Sequence, residues 1–254
     1  MSGHNKWSKI KHIKAKEDAK KGKVFSKFAH EIFIAARDGG SGDPGMNPRL
    51  RQAIDSAKSQ SMPKDNIERA IKKGTGELDG GSIEEITYEG FGAGGVGMMV
   101  QVATDNKNRS VADIRSAFNK NNGNMGTAGT VSQMFDQKGE ILIDAELISE
   151  EDIFEKALEA GADDVSTDDD EHMIITAVDQ LNLVAENLRN GGLQLKSQGL
   201  VFIPHTPIEI TDTSIASQVL RLYEALDDYD DTISVFATFE ISDDVLERLM
   251  AKSS

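Results

Sequence analysis

Across residues 74–82 (GTGELDGGS) the spacing of apolar side chains changes, and no single repeating architecture accommodates both sides of that segment. Before it, apolar positions recur three or four residues apart. Phe25, Phe28, Ile32 and Ala36 predict a helix that Gly39-Gly40 stops. Asn47-Pro48 offers an N-cap and a first-turn proline for a second helix, with Leu50, Ile54 and Ala57 on one side. A third starts near Pro63, buries Ile67 and Ile71, and ends at Gly74. After the segment, strands alternate with helices. Residues 83–88 and 97–104 read as strands, and Ser110 is expected to cap a helix carrying Val111, Ile114 and Phe118, with Asp113 at its third position. Residues 212–226 form an amphipathic helix pattern through Ile215, Val219, Leu222 and Leu226. Ile233, Val235, Ala237, Phe239 and Ile241 then alternate with the period of one strand.

A second mixed unit lies in between. Residues 131–135 and 140–144 read as a hairpin, Ser149 caps a helix running to Ala160, and residues 172–177 form a strand. A helix near 179–190 and a strand at 194–203 close the unit, with Pro204 and Pro207 at its exit. The expected fold is α+β in three domains: a helical domain at 1–76, a discontinuous α+β sandwich at 77–130 and 205–254, and an α+β sandwich at 131–204 inserted into it. A chain of 254 residues is long enough for each to bury a core.

Charge follows the same divisions. Residues 1–76 carry 13 Lys and 4 Arg against 8 acids, a balance of +9, and nine of those lysines fall in the first 30 residues. The remainder carries 11 bases against 35 acids, or −24, and residues 131–204 alone hold 17 acids against 4 bases. A chain with a formal charge of −15 gains no solubility from a basic end, so the asymmetry points to a polyanion-binding arm. Trp7, the sole Trp, lies inside the basic run with His12 and Phe25. Bases interleaved with aromatics suit phosphate neutralisation and base stacking. A solvated lysine face, and a hydrophobic staple by Trp7, are the plainer alternatives.

Other chemistries find little support. The absence of Cys removes disulfides, thiol nucleophiles and Cys-ligated metals, and fits a reducing compartment. No apolar run approaches the ~18 residues of a membrane span, and no apolar core follows the first lysines, so a cytoplasmic protein without membrane partners is expected. Gly92-Ala93-Gly94-Gly95-Val96-Gly97 matches the dinucleotide pattern G-x-G-x-x-G, but a strand follows where a helix is required. The run Asp168-Asp169-Asp170-Glu171 lacks the glycine and closing Glu of a calcium loop. The five histidines are scattered, with no zinc-binding pair, and neither a G-x-S-x-G elbow nor a Walker loop occurs. Neither an enzyme nor a cofactor or metal is expected. The segment Thr104-Asp105-Asn106-Lys107-Asn108-Arg109-Ser110 leads into a helix and offers bases beside free N–H groups for a phosphate, or side chains that merely brace the turn. The polar loop at 119–126 reads equally as a partner contact or a connector.

Several ordered motifs carry a resemblance. Gly3-His4-x-Lys6-Trp7-x-x-Ile10-Lys11-His12-x-Lys14 is followed by Asp18-x-Lys20-x-Gly22-Lys23-x-Phe25 and Asp43-Pro44-Gly45-x-Asn47-Pro48-x-Leu50-Arg51. Tyr88-Glu89-Gly90, Thr104-Asp105-Asn106-x-Asn108-Arg109 and Gly123-Asn124-x-Gly126 complete the set. Along its whole length the sequence resembles the YebC/PmpR family, whose organellar relatives include the translational activator of cytochrome c oxidase subunit I. Ser110 stands where that family usually has Thr, and Asn121-Asn122 where a Gly-rich loop is commoner. The resemblance implies the same three-domain fold and a role in gene expression, through DNA-binding transcriptional regulation or as a translation factor on the ribosome, including at proline-rich stretches. The partner is then nucleic acid, either DNA or ribosomal RNA, with a protein partner open to the acidic domains. The residues expected to contact nucleic acid are Lys6, Trp7, Lys9, Lys11, His12 and Lys14 in the arm, and Lys20, Lys21, Lys23 and Lys27 after it. Arg49 and Arg51, then Lys107 and Arg109, complete the expected surface.

Overall fold

The computed structural model describes residues 17–78, 83–168 and 170–252; up to Val24, and again at Asp243 and 250–252, only backbone is described. Three helices come first: α1 (Glu17–Asp38), α2 (Pro48–Ser59) and α3 (Lys64–Gly74). Then follow β1 (Glu84–Phe91), β2 (Gly97–Thr104), α4 (Lys107–Lys120) and the short β3 (Asn124–Met125). The next run is β4 (Phe135–Asp144), α5 (Glu150–Ala160), β5 (Asp164–Thr167), β6 (Glu171–Thr176), α6 (Leu181–Asn190) and β7 (Ser197–Pro204). The chain ends with β8 (Ile208–Ile210), α7 (Thr213–Asp227), β9 (Thr232–Ala237), β10 (Phe239–Ile241) and α8 (Asp243–Lys252). This is an α+β chain with a helical domain followed by two sheet-containing domains. Contacts divide it into residues 135–203 and the rest.

In the helical domain, Ile32, Ala36, Leu50, Ile54, Ala57 and Ile67 form the buried core, and Phe25, Phe28 and Ile71 lie partly covered against it. The α1–α2 corner is clamped by one residue. Asn47 caps α2 by accepting the Leu50 N–H at 3.0 Å, while its amide donates to the carbonyls of Ala35 (2.7 Å) and Ser41 (3.2 Å). A buried side chain that satisfies three backbone groups sets the angle between two helices.

The central sheet has the order β3-β1-β2-β9, with antiparallel β1 and β2 running from Glu84 opposite Thr104 to Phe91 opposite Gly97. One face is covered by α4 and α7, which bury Ile114, Phe118, Val219, Leu222 and Leu226 on Met98, Val100 and Val102. On the other, Phe33 and Ile34 of α1 pack on Ala103, with Ile83 and Ile233 beside them. Burial on both sides explains why β2 is apolar almost throughout instead of alternating. The glycine-rich motif forms a short turn in the β1–β2 connection, where Gly94 and Gly95 take φ of 69° and 77°, a region open to glycine at little cost.

Several expectations are corrected. Asn106, not Ser110, caps α4, accepting the Arg109 N–H at 3.1 Å. Ser110 is buried one turn inside, its hydroxyl 2.6 Å from that of Tyr88. The strand expected through Ile241 breaks at buried Thr238, whose N–H donates to the Gly97 carbonyl (3.0 Å) and whose hydroxyl accepts the Gly97 N–H (2.9 Å). Beyond it β10 pairs in parallel with β8. The hairpin expected at 131–144 is instead the single strand β4. Ahead of it, the carboxylate of Glu89 accepts the N–H groups of Gly129 (2.8 Å), Val131 (2.5 Å) and Ser132 (2.9 Å). Burial pushes the Glu89 pKa up, but these donors outweigh it and hold the group below its ordinary value.

The 135–203 unit is a sheet of order β5-β6-β4-β7 with a core of Ile141, Ile143, Ile153, Ile174, Val184 and Leu188. Ser149 caps α5 and Gly161, at φ 98°, ends it. His172 is a satisfied core histidine: one ring nitrogen lies 2.9 Å from the Thr167 hydroxyl and the other 2.9 Å from the Ile148 carbonyl. Asp168 turns its carboxylate onto the N–H groups of Asp170 and Glu171, both at 2.9 Å.

Candidate nucleic-acid interface

Lys6, Trp7, Lys9, Lys11, His12 and Lys14 lie outside the described residues. Lys20, Lys21 and Lys23 fall on the first turns of α1, where the structure describes backbone only. The five remaining expected residues are described, and four of them are engaged within the chain. Lys27 pairs with Asp227 of α7 at 2.6 Å. Arg49 reaches Glu85 of β1 at 2.8 Å and Asp38 at 3.3 Å. Its positive field also opposes the burial that pushes the Glu31 pKa up. Arg51 donates to the carbonyls of Pro44 (2.9 Å) and Gly45 (3.3 Å), bracing the loop before α2.

Arg109 belongs to a denser network. Its guanidinium donates to Asp231 at 2.7 Å and to Asp105 at 3.1 Å, and Asp231 also accepts from Thr104 (2.8 Å) and Tyr229 (3.2 Å). Partial burial raises the Asp231 pKa, but the hydrogen bond from Arg109, followed by that from Thr104, brings it below the usual carboxylate range. Tyr229, desolvated beside Asp231, is pushed up to about 12. The 104–110 segment is therefore braced from within, and Arg109 is the brace. Lys107 is exposed in the first turn of α4 with no ion-pair partner among the described residues.

The structure draws attention to cations outside the expected set. On α3, Arg69, Lys72 and Lys73 are all exposed, and none has an ion-pair partner among the described residues. Arg69 and Lys73 stand four residues apart on one face, so their like charges repel. They border a cleft of about 380 Å³ lined by Phe25, Ala29, His30, Phe33 and Asn66, among others. The signal was in the sequence as a basic i, i+4 pair opposite Ile67 and Ile71, but the lysine density of the first 30 residues overshadowed it.

Cations that remain exposed and uncompensated attract phosphate, whereas exposed ion pairs contribute only about 0–1 kcal/mol each and exchange partners readily. Among the described residues, no group of His, Asp and Glu is arranged to hold a metal, and no helix is long and apolar enough to cross a membrane.

A helical domain followed by two sheet-containing domains, with a basic surface on the first, describes a known class. Residues 5–77 match the TACO1/YebC protein N-terminal domain, and residues 83–239 match the TACO1/YebC second and third domain. The chain belongs to the TACO1/YebC family. It is 54% identical over 251 residues to a protein of Akkermansia muciniphila named "Probable transcriptional regulatory protein", covering 98% of this chain and 100% of that one. A protein of Geobacter sulfurreducens with the same descriptive name is 52% identical, with 98% and 100% covered. Among solved structures, a conserved hypothetical protein from Aquifex aeolicus aligns with a TM-score of 0.85 at 45% identity, covering 91% of this chain and 94% of that one.

Proposed function

We propose that this protein regulates gene expression by binding nucleic acid through its helical domain, and that the regulated step is transcription. The observation that carries the binding is the exposed Arg69, Lys72 and Lys73 on α3, without ion-pair partners among the described residues, in the same helical domain as the nine lysines of residues 1–30. The names of its relatives carry the choice of transcription. The acidic remainder, at −24, is repelled by phosphate and directs contact to the helical end. No catalytic step is assigned to it.

One observation favours a second reading, a translation factor that binds ribosomal RNA. The arginines Arg49, Arg51 and Arg109 direct guanidinium N–H groups to carboxylates or carbonyls of the chain itself. Such groups read guanine edges when they are free, so little of the described surface suits sequence-specific readout of a duplex. Gel shifts on promoter and scrambled DNA, run beside sedimentation with ribosomes at moderate salt, separate the two. Promoter-selective shifts without ribosome association support transcription, and salt-resistant co-sedimentation with indifferent DNA binding supports translation. Binding to neither overturns the proposal.

A further inference from the structure

The cleft between α1 and α3 has a composition that phosphate contact alone leaves unexplained. Its volume of about 380 Å³ is at the small end of the ~300–1,000 Å³ range of ligand clefts. Phe25 and Phe33 give it an aromatic lining. Phe33 is almost fully buried, with the Arg37 guanidinium 5.8 Å from its ring centroid, while Phe25 is only partly covered. One polar atom in the lining, Nδ1 of His30, is buried without a hydrogen-bond partner among the described residues, and the half-buried Asn66 amide lines the cleft with it. Burial lowers the His30 pKa, with Asp231 and then Asp105 opposing and Lys73 adding to the lowering, so the neutral ring is favoured. A neutral imidazole and an amide together offer donors and acceptors to an uncharged, planar, polar-edged partner.

At the rim, Arg69 and Lys73 supply two positive charges beside this apolar, hydrogen-bonding interior. An aromatic wall, polar side chains and flanking cations complement the three parts of a nucleotide: ring face, base edge and phosphate. We propose that the cleft receives one unstacked nucleotide of a single-stranded nucleic acid. The base lies against Phe25 with its edge toward His30 and Asn66, and the adjoining phosphate meets Arg69 and Lys73. This rests on the nucleic-acid reading above and adds to it where a base is held. A base paired and stacked in a duplex cannot enter such a cleft, so the site selects looped or single-stranded segments.

The test is fluorescence anisotropy with the full chain and four labelled 12-mers: single-stranded RNA, its abasic counterpart, and the same pair in DNA. The base-bearing RNA is expected to bind about tenfold more tightly than the abasic strand, the scale of one stacked base. The RNA and DNA arms show which strand the site prefers. Asn66→Ala and His30→Leu should reduce that preference without changing the salt slope, while Arg69→Ala with Lys73→Ala weakens both strands alike. Thermal unfolding confirms that each variant is folded, and crosslinking from a 4-thiouridine-bearing strand to the peptides containing Phe25 or Phe33 gives a readout that needs no substitution. Equal binding of base-bearing and abasic strands, with crosslinks elsewhere, overturns the cleft and leaves the nucleic-acid reading standing. No binding of any strand or of duplex DNA overturns both. A Trp7→Ala variant that acquires base preference where the parent has none identifies the chain's own arm as the occupant and overturns the proposal.

Discussion

The helical domain and the 135–203 unit are built alike and charged oppositely. Each buries an aliphatic core between amphipathic elements, around Leu50, Ile54 and Ile67 in one and Ile141, Ile153 and Ile174 in the other. They differ in how surface charge is answered. In the helical domain, Lys27, Arg37, Arg49 and Arg51 find carboxylates or carbonyls, and Arg69, Lys72 and Lys73 of α3 have no ion-pair partner among the described residues. In the acidic unit the few bases are outnumbered. Lys138 pairs with Asp163, and Lys196 spans Asp144 and Glu171, yet the 17 acids of residues 131–204 face only 4 bases in that stretch. Core burial makes both fold, and under the proposed function the sign of the surplus charge sets which of them approaches a phosphate chain.

Cutting each core is the strongest way to break this comparison. Ile174→Ala and Leu50→Ala should each cost about 2–5 kcal/mol, measured by urea unfolding. Only Leu50→Ala should abolish nucleic-acid binding in anisotropy. Loss of binding in Ile174→Ala would show that the acidic unit belongs to the interface.

A half-buried acid, Glu140, offers the next largest effect. Burial, with Glu171 adding to it, pushes the Glu140 pKa up to about 7, so the folded chain holds this carboxyl protonated well above its ordinary 4.5. As pH rises from 4.5 to 7 the unfolded chain releases this proton first, and the folded state loses stability across that window. Glu140→Gln should flatten the profile and raise stability at pH 8 by up to about 3 kcal/mol. Urea unfolding between pH 5 and 8 checks it, and an unchanged profile would show that the group is not desolvated in solution.

Charge removal on α3 sharpens the comparison from the other side. Arg69→Ala with Lys73→Ala should weaken binding about tenfold, or about 1.4 kcal/mol. The log–log salt slope should become shallower by about 0.7 on single strands, where both cations meet one phosphate, and by up to about 1.8 on duplex DNA, where they meet two. Thermal stability should hold or rise slightly as the i, i+4 repulsion disappears. The smallest effect is expected for Lys27→Ala, whose exchangeable pair with Asp227 contributes under about 1 kcal/mol. A larger drop in melting temperature would make that pair a structural tie between α1 and α7.

Local pattern was enough wherever a feature depends on neighbours in sequence. The apolar spacing of α2, α3 and α7 and the caps at Asn47 and Ser149 follow from side chains a few residues apart. Asn106 and Ser110 both have cap chemistry, and the choice between them is visible only once Tyr88 is in place to take the Ser110 hydroxyl. In the same way the break at Thr238 needs Gly97, which lies 141 residues away.

Periodicity and caps are short-range, so the order of residues alone settled which stretches become helices or strands and where the charge accumulates. Partner choice is long-range. Arg109 meets Asp231 across 122 positions and Lys27 meets Asp227 across 200, so which cations are consumed and which stay free is decided only when the chain closes on itself. The cleft between α1 and α3 arises the same way, because a cavity belongs to no single element and exists only in the space that packing leaves.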